Sequence, residues 1–186
     1  MPEHEYVYIR KLFYQSIFQV KNLEEHIQMI FYSVLAFFIP FFLGHPQWAV
    51  GVIVNTALIL GATYLRGYKV LPVILLPSIG VLIAGLIFGP LTMYLVYLIP
   101  FIWIGNALYV YCHRHFMFKK WNSLASIGVT SVIKSVFIAI GAIILYVFGV
   151  IPAALLIPMS ILQLGTAIGG GIIALGIVKG RNALQN

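Results

Sequence analysis

Residues 123–148 read SLASIGVTSVIKSVFIAIGAIILYVF, an apolar stretch with a single charge, Lys134. A run of this length and composition fits lipid, because about 20 helical residues cross the hydrocarbon core of a bilayer. Five further apolar runs flank it, at residues 28–43, 48–65, 70–88, 91–112 and 151–178. Their breaks are turn-like: Gly44-His45-Pro46, Gly89-Pro90 and residues 149–152. Proline lacks an N–H and glycine frees φ, so each break ends a helix. Reading straight through Gly89-Pro90 or through 149–152 would give helices far longer than one span. The expected fold is therefore all-α: a six-transmembrane-helix bundle over residues 27–180.

Composition agrees. The chain is 62% hydrophobic and 8% charged, with a mean hydropathy of +1.03. A soluble domain is nearer a quarter charged. The net charge of +7 does not point to nucleic acid, because the basic residues lie in short connections between apolar runs. Arg10, Lys11 and Lys21 precede the first run, Arg66 and Lys69 follow the second, Arg114, Lys119 and Lys120 follow the fourth, and Lys179 and Arg181 follow the sixth. The alternate connections carry neither Lys nor Arg. Positive charge stays on the cytoplasmic side, so both termini are expected there, in the plasma membrane.

Residues 1–26 carry all four acids and no apolar core of a cleavable leader; the first span is expected to be retained. Within them Tyr6, Ile9, Phe13, Ile17 and Val20 recur at helical spacing, with Arg10, Lys11, Gln15 and Gln19 between. That pattern predicts an amphipathic helix on the inner leaflet or against a partner subunit, linked by residues 21–26 to the first span. Residues 181–186 read as a tail.

Polar groups within lipid need a reason. Lys134 falls near mid-span, and no acid lies in any span. Three readings fit it: an amine facing a watery cavity that awaits an anionic or carbonyl-rich ligand, an amine kept neutral by burial, or one capped by carbonyls freed at proline breaks. Gln163 and Thr166 in the sixth run, Asn106 in the fourth and Asn55 in the second are expected at neighbouring depths. Interhelical hydrogen bonding is the plain alternative for each. Tyr94, Tyr97 and Trp103 are candidate pocket walls or interface anchors, and Pro100 should kink their helix. Gly165 and Gly169 make a GxxxG pair that predicts close helix packing.

Other chemistry is missing. There is no HExxH, no P-loop and no intramembrane carboxylate for proton or Na⁺ coupling. The chain is not expected to be an enzyme, and no cofactor or metal is expected; a Schiff base at Lys134 lacks an accompanying acid or base. His113-Arg114-His115 is expected in a cytoplasmic loop facing lipid headgroups. Cys112 is the lone cysteine.

Six short helices in under 190 residues, with both ends inside and polar side chains on helices 4 to 6, resemble the substrate-binding S components of energy-coupling factor (ECF) transporters. The resemblance implies a membrane subunit that captures a vitamin-like small molecule from outside. Import would be powered by a transmembrane coupling subunit and cytoplasmic ATPases. It implies a pocket drawing on Asn106, Lys134 and Gln163, with Trp103, Tyr94 and Tyr97 as walls and residues 44–47 as lid. Where that family often carries two alanines four apart on helix 1, this chain has Ser33 and Ala36. A structural or accessory membrane subunit without its own pocket is the alternative.

Overall fold

The computed structural model describes residues 3–184, with side-chain surroundings from Asn22 onward. Six helices carry the chain: α1 Glu3–Phe42, α2 Gln47–Tyr64, α3 Leu71–Ala84, α4 Leu95–Phe118, α5 Ser123–Val147 and α6 Ile161–Leu184. No strand occurs among the described residues. Six segments are long and apolar enough to cross a membrane, beginning at Asn22–Phe42. This is the architecture of a multi-pass membrane protein.

Neighbour contacts close a ring in the order α1, α3, α4, α5, α6, α2, with α2 also touching α4 across the middle. In lipid, apolar side chains gain little by leaving the solvent, so packing depends on close backbone approach and on interhelical hydrogen bonds. Both are present. Gly170 of α6 sits so close to α2 that a Cβ there would meet the Val52 carbonyl oxygen at 2.6 Å. Of the expected GxxxG pair, Gly169 lies against α2, with a Cβ 3.4 Å from Val52 Cγ2, whereas nothing lies within 4 Å of a Cβ at Gly165; the tightest approach belongs to Gly170 and Gly171. Both lie on the α6 face turned to α2 and α5.

Element ends depart from the sequence reading in four places. First, α1 is unbroken through residues 21–26. Polar residues there are held in helix by local bonds, Gln28 Nε2 to Glu24 Oε1 at 3.1 Å and His26 Nδ1 with the Asn22 carbonyl at 2.7 Å. The amphipathic pattern of residues 6–20 concerns side chains outside the described ones. Second, α4 continues to Phe118, so the His113-Arg114-His115 cluster is helical rather than looped. Arg114 donates to the carbonyls of Gly61 (3.1 Å), Ala62 (2.8 Å) and Leu65 (2.5 Å) at the end of α2, where carbonyls run out of intrahelical donors. His113 is buried with Nδ1 2.8 Å from the Ser126 hydroxyl. Third, α6 starts at Ile161, ten residues later than expected. Residues 149–160 instead fold into the bundle as an irregular segment with one tight turn at Ala153–Leu155. Ile151, Leu155 and Met159 from it join an apolar cluster with α4 and α5. Fourth, α6 runs to Leu184, taking most of the expected tail into helix.

The two ends of the bundle differ in kind. At one end, Glu25 of α1 binds Lys69 (2.9 Å) and Arg66 (3.1 Å) from the α2–α3 connection. Lys69 also donates to Asn22 Oδ1, and Glu24 pairs with Arg181 of α6 at 2.8 Å. All the ion pairs found among the described residues gather here. The opposite end, made by residues 43–46, 85–94 and 148–160, is closed by apolar segments and turns. Gly85 and Gly89 turn the chain there in the left-handed region, at φ +69° and +52°.

Candidate functional site

A cavity of about 100 Å³ opens inside the uncharged half of the bundle, between the two apolar clusters. Every helix contributes to its lining, from Pro40 of α1 to Thr166 of α6. Its upper wall comes from the uncharged end, where Gln47, Phe88, Pro158 and Met159 lie. Its polar floor is made by Asn55, Asn106, Lys134 and Thr166, from the middle and upper turns of α2, α4, α5 and α6.

The floor is built around the amine of Lys134, a residue 2% exposed. Nζ donates to Asn55 Oδ1 at 2.5 Å. The orientation of the Asn55 amide is fixed from the other side: its Nδ2 donates to the Gly51 carbonyl at 2.8 Å and to Thr166 Oγ1 at 3.2 Å. Turning the amide over would set its NH2 group against the amine and its oxygen against the Gly51 carbonyl. Thr166 returns its own proton to the Leu162 carbonyl at 2.8 Å. The Tyr109 ring lies under the amine, with its centroid 5.2 Å from Nζ, within the range of a cation–π contact. Tyr109 is itself pinned by its hydroxyl to the Ala167 carbonyl at 2.7 Å. An ammonium carries three N–H donors. Among the described residues Asn55 supplies the one hydrogen-bond acceptor within reach, and no carboxylate pairs with Lys134.

Asn106 and Trp103 have a second task. Pro77 lies inside α3 and disturbs the turn before it. Asn106 Nδ2 donates across from α4 to the Ile74 carbonyl at 3.1 Å, and Trp103 Nε1 to the Leu75 carbonyl at 3.1 Å and to Ser78 Oγ at 2.8 Å. Carbonyl capture near a proline break, one of the readings open for Lys134, is thus what these two residues perform. Asn106 still lines the cavity; Trp103 does not.

The structure therefore brings together Asn55, Asn106, Lys134, Gln163 and Thr166 around one void. It does not bring Tyr94, Tyr97 or Trp103 to it. Tyr97 is 54% exposed on the outer face, and Tyr94 packs against the α4–α5 apolar cluster. With α6 beginning at Ile161, Gln163 stands in the first turn of its helix rather than midway along it, nearer the cavity mouth than its floor. Gln47 of the 44–47 segment does reach the cavity. The sequence reading passed over Ser78, Pro158 and Met159. A serine beside a helix proline was a usable signal for the first; the other two reach the void only because residues 149–160 turn inward.

No family model, curated protein or solved structure matches this chain. No cluster of metal-ligating side chains occurs among the described residues.

Proposed function

We propose that this protein is a membrane-embedded capture subunit. It takes a small anionic or carbonyl-bearing solute from the outer side and presents it to a separately powered importer. One observation carries the reading: a buried lysine amine with a single protein acceptor sits at the floor of a polar-based void. A buried charge with no counter-charge and only one hydrogen-bond acceptor is costly, and a ligand bearing a further acceptor offsets that cost.

The contrast between the ends supports a direction. The ion-paired end holds the basic connections, which belong in the cytoplasm; the cavity lies toward the other end. Ion pairs and the Arg114 cap tie α1, α2, α4 and α6 together on the inner side. The outer closure has no ion pair among the described residues and is the easier one to open. Such a bundle admits solute from outside and needs another protein to release it inward. That division of labour agrees with the resemblance to ECF S components. A coupling subunit would dock on the least enclosed spans, α1 and α6, whose apolar windows are 22% and 28% buried. Ser33 and Ala36 are buried within the bundle, so the docking face on α1 would be the phenylalanine-rich one.

Native mass spectrometry of the purified full chain tests the proposal. A bound small molecule is expected in the native protein and is expected to be lost in a folded Lys134→Ala variant. Equal retention by both would remove Lys134 from the site. Co-expression with candidate ATPase and coupling subunits is expected to give a complex that hydrolyses ATP.

A further inference from the structure

We infer that the ligand is a short-chain monocarboxylate, bound with its carboxylate against Lys134 and its hydrocarbon tail toward the uncharged end; this rests on the capture reading above. Three observations converge on that class: size, charge and wall chemistry.

Size comes first. The void is about 100 Å³, whereas a cavity of about 150 Å³ is what a benzene ring occupies in an engineered protein core. An aromatic ring or a fused vitamin nucleus does not fit without the walls moving. By the same comparison the void holds about four heavy atoms, and a straight chain of about six fits with its last carbons in the open mouth.

Charge comes second. The floor offers one cation and no second one; its other polar groups are amides and a hydroxyl. A buried dianion would keep one charge unbalanced, a cost of several kcal/mol per ion, so phosphate and dicarboxylates are disfavoured. Lys134 has donors beyond the one given to Asn55, and a carboxylate accepts such N–H groups. Asn55 cannot compete for the ligand, because both of its amide hydrogens are already given away. It positions the amine instead.

Wall chemistry comes third. Above the floor the void is faced by Val50, Val54, Ile102, Met159 and Leu162. These side chains reward a hydrocarbon tail and offer nothing to a hydrated inorganic ion. Gln163 and Gln47 stand near the mouth, where the tail ends.

The test is thermal unfolding of the purified full chain in detergent, followed by intrinsic tryptophan fluorescence at constant ionic strength. Butyrate, acetate, hexanoate, benzoate, inorganic phosphate, chloride and neutral butyramide are titrated separately. Butyrate is expected to raise the midpoint most, acetate less, and phosphate and chloride not at all. Lys134→Met is expected to weaken butyrate by about tenfold to a hundredfold, the range for a lost hydrogen bond to a charged group. Should that variant fail to fold, Val54→Phe fills the void without touching the amine and is expected to abolish the butyrate shift; a retained shift would refute the site. Phosphate or chloride matching butyrate, or benzoate or hexanoate surpassing it, overturns the monocarboxylate class. Butyramide matching butyrate does the same. In each of these cases a Lys134-dependent molecule in the native mass spectrum leaves capture standing. No shift from any solute, together with no retained molecule, overturns both.

Discussion

At the scale of single residues, the site turns on how a lysine is accommodated where no acid can reach it. Asn55 and the Tyr109 ring do this with partial charges. Removing the acceptor by Asn55→Leu is expected to destabilise the bundle by about 3 kcal/mol, the cost of leaving a buried charge unpaired; unfolding in mixed detergent measures it. Asn55→Asp is expected to abolish anion binding, because it places beside the amine the carboxylate that the spans lack. It brings no gain in stability, since its second oxygen would face the Gly51 carbonyl and lose the two bonds that Nδ2 now donates. A folded variant that still bound an anion would show that the ligand sits elsewhere. Lys134 and its lack of a counter-charge were visible in the sequence, because a lysine inside an apolar run is conspicuous. That Asn55 is its partner was not visible, since the two lie 79 residues apart and several asparagines and glutamines had equal claim.

At the scale of elements, close packing decides which glycines matter. A Cβ on Gly170 would strike the α2 backbone at Val52, which has no rotamer to yield. Gly170→Ala is expected to cost about 2 kcal/mol, within the range for overpacked sites. Gly165→Ala, facing open space, should be neutral within about 0.5 kcal/mol. The two variants compared in one unfolding assay check which face of α6 is the packed one. Glu25 makes a second element-level prediction. It joins α1 to two cations of the α2–α3 connection, one of them largely exposed. Glu25→Gln is expected to destabilise by about 2 kcal/mol, less than for a fully buried pair because Arg66 remains in contact with solvent. The positions of the apolar runs gave the helices, but not all of their ends. The ends of α1 and α4 extend through polar residues because distant partners, Lys69 for Glu25 and the α2 carbonyls for Arg114, satisfy those side chains.

At the scale of the whole molecule, the alternation of charged and uncharged connections predicts an orientation that labelling can check. In a Cys112→Ser background, cysteines placed at Leu86 and Phe148 are expected to react with a membrane-impermeant maleimide added outside intact cells. One placed at Lys120 is expected to react only after permeabilisation. Reversal of that pattern would turn the bundle over and would put the cavity on the cytoplasmic side.

The sequence alone determined that this chain is a six-helix bundle suited to lipid, where its basic connections lie, and that one deep lysine has no acid to meet. Each of these follows from local composition and order along the chain, which a span length and a charge count capture. Only the tertiary structure decided that the void is roofed by residues 149–160, that Trp103 and Asn106 donate to carbonyls in the turn before Pro77, and that Tyr94 and Tyr97 lie off the void while Tyr109 sits under the amine. Those outcomes depend on which helix faces which. In a bundle whose surfaces are apolar all round, hydrophobic periodicity carries almost no record of facing. Close glycine contacts and interhelical hydrogen bonds settle it, and they form only once the helices have met.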